Sequence, residues 1–190
     1  MKVIRTFVAV LLAEDLRQKI AQVQGEVKKL APDVKWVAPE NIHVTLKFLG
    51  NVRESEIGDV CDAVSEAART VPAFELSVSG LGAFPNPARA RVVWVGIDRG
   101  REELAGLAAG VDDRLVKLGF EREDRAFKAH ITIGRVKTSR FLDELARGIE
   151  GIDASGLGSQ RVASVAVMQS DLQREGPVYT PLSVIELAGC

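Results

Sequence analysis

A chain of 190 residues is long enough for one ordinary domain or two small lobes around a shared core. Its 46% hydrophobic and 27% charged residues exclude a largely disordered chain. The 25 Lys+Arg balance 26 Asp+Glu, which argues against a coat for long duplex nucleic acid but permits a local pocket for one nucleotide end.

Met1 to Phe7 lacks a secretory pattern, and the apolar run from Phe7 to Leu12 is broken at once by Glu14 and Asp15. No uninterrupted stretch reaches the ~20 apolar residues of a membrane span, so a cytoplasmic protein with no membrane partner is expected. Val3 to Leu12 reads as a buried strand. Leu16, Ile20, Val23, Val27 and Leu30, spaced by fours and threes, predict an amphipathic helix that Pro32 ends. Val34 to Val37 is a short strand, Pro39-Glu40-Asn41 a turn, and Ile42 to Leu49 a strand closed by Gly50-Asn51. Ser55 is the expected N-cap of a helix carrying Ile57, Val60, Val64 and Ala68 inward, with Cys61 on its face. Phe74, Leu76 and Val78 alternate as a half-exposed strand, followed by a Gly/Pro-rich loop from Gly80 to Pro87 and a strand from Arg91 to Ile97.

Leu104, Leu107, Val111, Leu115 and Leu118 mark a second-half helix ended by Gly119. A strand from Ala129 to Val136 and a short helix from Phe141 to Gly148 follow. Glu150 to Gln160 reads as a mobile Gly/Ser-rich loop, and Val162 to Gln169 and Val178 to Leu187 as two last strands, with Cys190 a frayed C-terminal residue. Several links are too short for parallel crossovers, which predicts an α+β architecture with antiparallel sheets and no separating linker. Two cysteines without CxxC spacing make neither a disulfide scaffold nor a zinc site.

Both of the chain's histidines open the same tetrapeptide: His43-Val44-Thr45-Leu46 and His130-Ile131-Thr132-Ile133. Threonine is scarce (Thr6, Thr45, Thr70, Thr132, Thr138 and Thr180), so chance would put one two places after both histidines roughly once in a thousand. In a strand, residues i and i+2 share a face, so each tetrapeptide presents an imidazole beside a hydroxyl while its aliphatics point inward. Two such strands face to face suit phosphoryl chemistry. One imidazole takes a proton from water, the other gives one to the leaving oxygen, and the hydroxyls hold the non-bridging oxygens. A histidine titrating near ~6.5 can serve in either role. Two histidines without a third ligand make a poor zinc site, and no GxSxG elbow is present, so neither metal nor cofactor is expected. The alternative for a lone strand histidine is a hydrogen-bonded structural residue; the repeat of the whole pattern argues against it.

The paired H-x-T-x motifs resemble those of the two-histidine phosphoesterases, specifically the bacterial and archaeal RNA 2′,3′-cyclic phosphodiesterases, long called 2′-5′ RNA ligases. Arg5 to Val10 is similar to the family's opening strand, and Val34-Lys35-Trp36-Val37-Ala38-Pro39-Glu40-Asn41-Ile42 leading into His43 to Gly50 to its first signature. Gly80 to Pro87, Val93 to Gly96, Gln169 to Leu172 and Gly176 to Tyr179 extend the likeness over nearly the whole chain. The resemblance implies a single domain over residues 1–190, built of two interleaved lobes. Two antiparallel sheets with flanking helices would be related by a pseudo-twofold axis, each giving one motif strand to a central cleft. It implies hydrolysis of RNA 2′,3′-cyclic ends to 2′-phosphates, with weak reverse 2′-5′ ligation. By resemblance His43 is the proton donor, His130 the acceptor, and Arg135 a phosphate contact beside Thr45 and Thr132. The partner implied is an RNA 3′ end carrying the cyclic phosphate, tRNA fragments being one candidate source, and the expected state is a monomer.

Two departures qualify the likeness. Ala129 stands where the family usually has Pro before the second histidine. Strict alternation from His130 also puts Gly134 on the site face and Arg135 on the other, so a bulge or twist after Ile133 is needed to bring Arg135 round; the alternative for Arg135 is a surface ion pair. By the same alternation Lys47 shares the face of His43 and reads as a solvated strand-end lysine, and Phe48 reads as core. Trp36, Phe84, Phe127 and Tyr179 are possible base stackers for which core packing is expected. The Gly80/Gly82 segment reads as a turn and not as a phosphate cradle. The alternative functions are a cyclic phosphodiesterase of a small nucleotide and a non-catalytic module that binds RNA ends.

Overall fold

In the computed structural model, which describes residues 2–174 and 176–189, the elements other than β7 run broadly as the hydrophobic periods predict. In chain order they are β1 (Val3–Leu11), α1 (Glu14–Leu30), β2 (Lys35–Trp36), β3 (His43–Arg53), α2 (Ile57–Ala68), β4 (Phe74–Phe84) and β5 (Val92–Ile97). The second half adds α3 (Arg101–Lys117), β6 (His130–Arg135), α4 (Leu142–Gly151), β7 (Gly158–Val162), β8 (Ser164–Leu172) and β9 (Pro177–Glu186). Cys190 lies outside the described residues.

α1 shows why the spacing forms a helix: Leu16, Ile20, Val23 and Val27 form its buried stripe. Glu14 and Asp15 in the first turn and Lys28 and Lys29 in the last complement the helix dipole. The strands form two antiparallel sheets, ordered β3-β1-β8-β9 and β2-β6-β5-β4-β7. α2 and α3 pack against the first sheet, through β3, β8 and β9, while α1 and α4 pack against β7 and β4 of the second. One apolar core runs between these layers. A small second cluster of Phe7, Ala9, Ala166 and Met168, with Tyr179 against it, covers the other face of the first sheet. β3 and β6, which carry the two histidines, lie against one another across the sheets.

Four boundaries differ from the sequence expectation. Gly50-Asn51 does not close β3, which continues to Arg53 with Gly50 at φ 71° opposite Thr6. Ser55 does not cap α2; it sits in a 3-10 turn, and Glu56 occupies the cap position without a side-chain bond. Gly80 to Phe84 is strand and not loop: β4 absorbs an extra residue between Val78 and Leu81, where Gly80 takes φ 85°. Half of the supposed mobile loop at 150–160 is the end of α4 and the beginning of β7, which pairs with β4 from Phe74 to Val78. Pairing to a neighbour decides such a Gly/Ser-rich edge strand, whose own residues have little β preference.

Candidate active site

β3 and β6 each carry an extra residue at the same place in the motif. Along β1, Ala9 pairs with Thr45 and Val8 with Lys47, so Leu46 is unpaired. Along β5, Trp94 pairs with Thr132 and Val93 with Gly134, so Ile133 is unpaired. Each bulge lets two consecutive residues face the core, and both bulged aliphatics are buried. Alternation then resumes with opposite parity. Gly134 turns inward, and Arg135 returns to the side of His130 and Thr132. In the first motif Lys47 turns inward, 5% exposed, and Phe48 outward, 59% exposed. The expectations of a solvated Lys47 and a core Phe48 are therefore both reversed by one bulged residue.

The two imidazoles are held alike. His43 Nδ1 lies 2.7 Å from the Asn41 carbonyl, and His130 Nδ1 lies 2.6 Å from the Lys128 carbonyl. A carbonyl only accepts, so Nδ1 carries the hydrogen and Nε2 keeps its lone pair when the ring is neutral. His43 Nε2 stands 2.9 Å from Thr45 Oγ1, whose hydroxyl donates to it. Aromatic neighbours fix the rings further, Phe7 tilted over His43 and Tyr179 and Phe84 edge-on to His43 and His130. Phe7 and Tyr179 stand 5.0 and 5.4 Å from His43, and Phe84 stands 5.1 Å from His130. Tyr179 and Phe84 thus flank the histidines. Phe127 and Trp36 pack on the main core and Tyr179 on the small second cluster, as expected of them, while Trp36 and Tyr179 also line the neighbouring cleft.

Burial pushes both histidine pKa values below the usual 6.5, the carbonyl bonds partly oppose this, and the Arg135 guanidinium lowers both further. The same cation acts on Tyr179, whose pKa burial raises. Arg135 is therefore within electrostatic reach of both His43 and His130. Thr45 lies beside His43, and Thr132 sits in β6 opposite Trp94. Ala129 enters β6 packed on the main core. Among the described residues, no group of three His, Cys, Asp or Glu side chains could hold a metal ion.

Beyond Phe7 and Tyr179 opens a cleft of about 620 Å³, lined among others by Arg5, Lys35, Trp36, Phe48 and Arg135. Behind β3, Lys47 Nζ donates to Asp112 Oδ1 at 2.6 Å and to the Glu121 carbonyl at 2.7 Å. Asp112 also accepts from the Glu123 N–H at 3.1 Å and from Arg122 at 3.2 Å. This buried pair ties the first motif strand to α3 and to the irregular segment that leads into His130. The sequence did carry a signal for it: Asp112 stands four residues after Ala108 and eight after Leu104, on the apolar face of α3.

The sequence matches the LigT like Phosphoesterase family twice, over residues 10–94 and 95–179, with one histidine motif in each half. This chain belongs to that family. Two archaeal relatives, both called RNA 2′,3′-cyclic phosphodiesterase, match over nearly their full lengths. The protein of Methanothermobacter thermautotrophicus is 40% identical over 97% of this chain and 99% of its own. That of Archaeoglobus fulgidus is 41% identical over 96% and 99%. Among solved structures, a Thermus thermophilus protein superposes with a TM-score of 0.79 at 29% identity, covering 97% of this chain and 98% of that one. E. coli LigT complexed with 3′-AMP gives 0.78 at 26% identity, covering 98% and 99%. The α+β architecture with antiparallel sheets, expected from the short links, and its division into two sheets, expected from the resemblance, are those of the LigT-like phosphoesterases.

Proposed function

We propose that this protein hydrolyses RNA 2′,3′-cyclic phosphate ends to 2′-phosphomonoesters without a metal. His43 acts as proton donor and His130 as acceptor, while Thr45, Thr132 and Arg135 hold the phosphate. The observation that carries the reading is the matched pair of imidazoles. Each has Nδ1 fixed on a backbone carbonyl, and the charge of Arg135 reaches both. The relatives' shared name supports cyclic phosphodiesterase chemistry.

The step is a proton relay around phosphorus. His130 Nε2 takes a proton from water as the oxygen forms its bond to phosphorus, in line with the ribose O3′. The P–O3′ bond breaks, and protonated His43 gives its Nε2 proton to O3′, leaving the phosphate on O2′. Negative charge grows on the non-bridging oxygens, where the two threonine hydroxyls donate and the guanidinium gives a charge-assisted bond. His43 must be protonated for this step, and an anionic phosphate in the site offsets the effect of burial on its pKa. Weak 2′-5′ ligation is the same displacement with the 5′-hydroxyl of a second RNA in place of water: His130 takes its proton, its oxygen bonds to phosphorus, and the P–O3′ bond breaks with the proton from His43, leaving a 2′-5′ phosphodiester.

A second reading keeps the chemistry and makes the substrate a small nucleotide; structures of E. coli LigT complexed with ATP and with NADP+ favour it. The deciding experiment incubates the purified protein, in EDTA, with RNA ending in a 2′,3′-cyclic phosphate. The products are then assigned by phosphorus NMR. A 2′-phosphate is expected. A 3′-phosphate overturns the assignment of roles, and loss of turnover in EDTA restored by a divalent ion overturns the metal-free mechanism.

A further inference from the structure

We propose that the cleft beside His43 is a subsite for the RNA nucleotide preceding the cyclic end. Phe48 serves as the platform for its base, and Arg5 and Lys35 meet the linking phosphate. The subsite rests on the phosphodiesterase reading above and names the form of substrate that reading leaves open.

The argument begins with the bulge at Leu46. It turns Phe48 out of the core and leaves it 59% exposed, an arrangement that folding alone does not require of a large aromatic. The counterpart of Phe48 in the second motif is Arg135, so one arm of the pseudo-twofold site offers a cation and the other an aromatic face. Both side chains line the same cleft, together with Trp36 and Tyr179. The Phe48 ring lies 6.0 Å from Phe7, which in turn touches His43. The aromatic surface is therefore continuous from the imidazole outward.

Charge indicates what this surface accepts. Among the described residues, three cations, Arg5, Lys35 and Arg135, line the cleft against one carboxylate, Glu40, in a chain whose net charge is −1. Aromatic faces interleaved with cations are the recipe for a single-stranded nucleic acid, whose bases stack while its phosphates pair. A purely apolar ligand would leave Arg5 and Lys35 without a role. The volume of about 620 Å³ lies within the usual range for a ligand site. Direction follows from covalent structure. An RNA ending in a 2′,3′-cyclic phosphate continues only through its 5′ oxygen, so with the phosphate at the histidines the preceding nucleotide extends away from them along the cleft.

The test compares a cyclic-ended mononucleotide with the cyclic-ended dinucleotide of the same terminal base. The wild-type protein should favour the dinucleotide by about tenfold or more in kcat/KM, the effect of stacking one base on an aromatic side chain. Phe48→Ala should remove most of that preference through KM, and Phe48→Tyr should keep it. A double Arg5→Gln, Lys35→Gln variant should flatten the salt dependence of the dinucleotide reaction. Equal kcat/KM for both substrates in the wild type, or a preference surviving in Phe48→Ala, overturns the subsite while the phosphodiesterase stands. Turnover of neither substrate overturns the phosphodiesterase reading and the subsite with it.

Discussion

Gly134→Ala is the most direct probe of the bulge that returns Arg135 to the site. An ideal Cβ at Gly134 would lie 2.8 Å from Val34 Cγ1 and 2.9 Å from Trp36 Cε3, inside normal contact distance. Val34 is 8% exposed and the Trp36 ring is stiff, so the added methyl displaces packed groups or pushes β6 outward. Overpacking of this kind costs ~1–3 kcal/mol, and the alanine recovers ~0.4–1 kcal/mol by restricting the unfolded chain. The net loss of about 1–2 kcal/mol should lower Tm by ~2–8 °C in a chain of this size. The effect on activity is separable from this. Arg135 follows directly after Gly134, and a charge-assisted bond to phosphate contributes ~1.5–3 kcal/mol, roughly 10–150-fold in kcat/KM. Gly134→Ala should lose a large part of that factor and Arg135→Ala all of it. The double variant should lose little more than Arg135→Ala alone. The assay is kcat/KM on a cyclic-ended dinucleotide beside a thermal melt. Strictly multiplicative losses, or wild-type kcat/KM in Gly134→Ala, would refute the claim that the bulge acts through Arg135.

Three further outcomes follow from the same geometry. Replacing either His43 or His130 by Ala should cost roughly 10²–10⁴ in kcat, and the double variant far less than the product, as for groups acting in one proton relay. The kcat/KM profile should be a bell centred on the acid side of 6.5, because burial and Arg135 lower both imidazoles; Arg135→Gln should move both limbs to higher pH, and an unmoved profile counts against the coupling. Asp112→Asn should cost ~3–5 kcal/mol in urea unfolding by leaving Lys47 buried without its carboxylate, with Lys47→Met, Asp112→Leu together recovering most of the loss. Burial would raise the Asp112 carboxyl, but Lys47, the Glu123 N–H and Arg122 hold it below its usual 3.8. The stabilisation from Asp112 should thus persist above ~3.8 and fade as the pH drops through the lower native value.

The sequence yields the long elements and the histidine pair because both rest on repeated spacing. Leu16, Ile20, Val23 and Val27 can be read from period alone, as can the i, i+2 placement of His43 with Thr45 and His130 with Thr132. A bulge is different. It adds one residue and reverses the facing of everything beyond it, and aliphatic Leu46 and Ile133 give no local sign of it. The contradiction over Arg135 pointed to a bulge in β6, since that residue sat on the wrong face. The same correction applied to β3 would have turned Lys47 inward and Phe48 outward. β7 escaped notice for another reason: its pairing with β4 lies some 80 residues away in sequence and has no local signature.

The proposed acid and base need an asymmetry that the motifs lack, because a His and a Thr recur at equal spacing in both. The asymmetry lies in what surrounds each ring. His43 has Phe7 and Tyr179 against its ring, and those two side chains form the near wall of the cleft assigned above to the RNA chain. His130 has Phe84 at its edge, with Lys128 over that ring, and Phe84 does not line the cleft. In-line displacement puts water and the leaving oxygen on opposite sides of phosphorus. The leaving oxygen belongs to the ribose, and the ribose carries the RNA chain, so the acid belongs on the side of the cleft and the base on the other. With the proposed subsite in the cleft, this places the proton donor at His43, the role proposed above. A substrate with sulfur at the 3′ position tests it, because a thiolate with a pKa near ~8.5 leaves with little need of a proton. His43→Ala should regain most of its loss of roughly 10²–10⁴ on this substrate, and His130→Ala should regain almost none. Recovery by His130→Ala instead would exchange the two roles and move the RNA chain to the Phe84 side of the site.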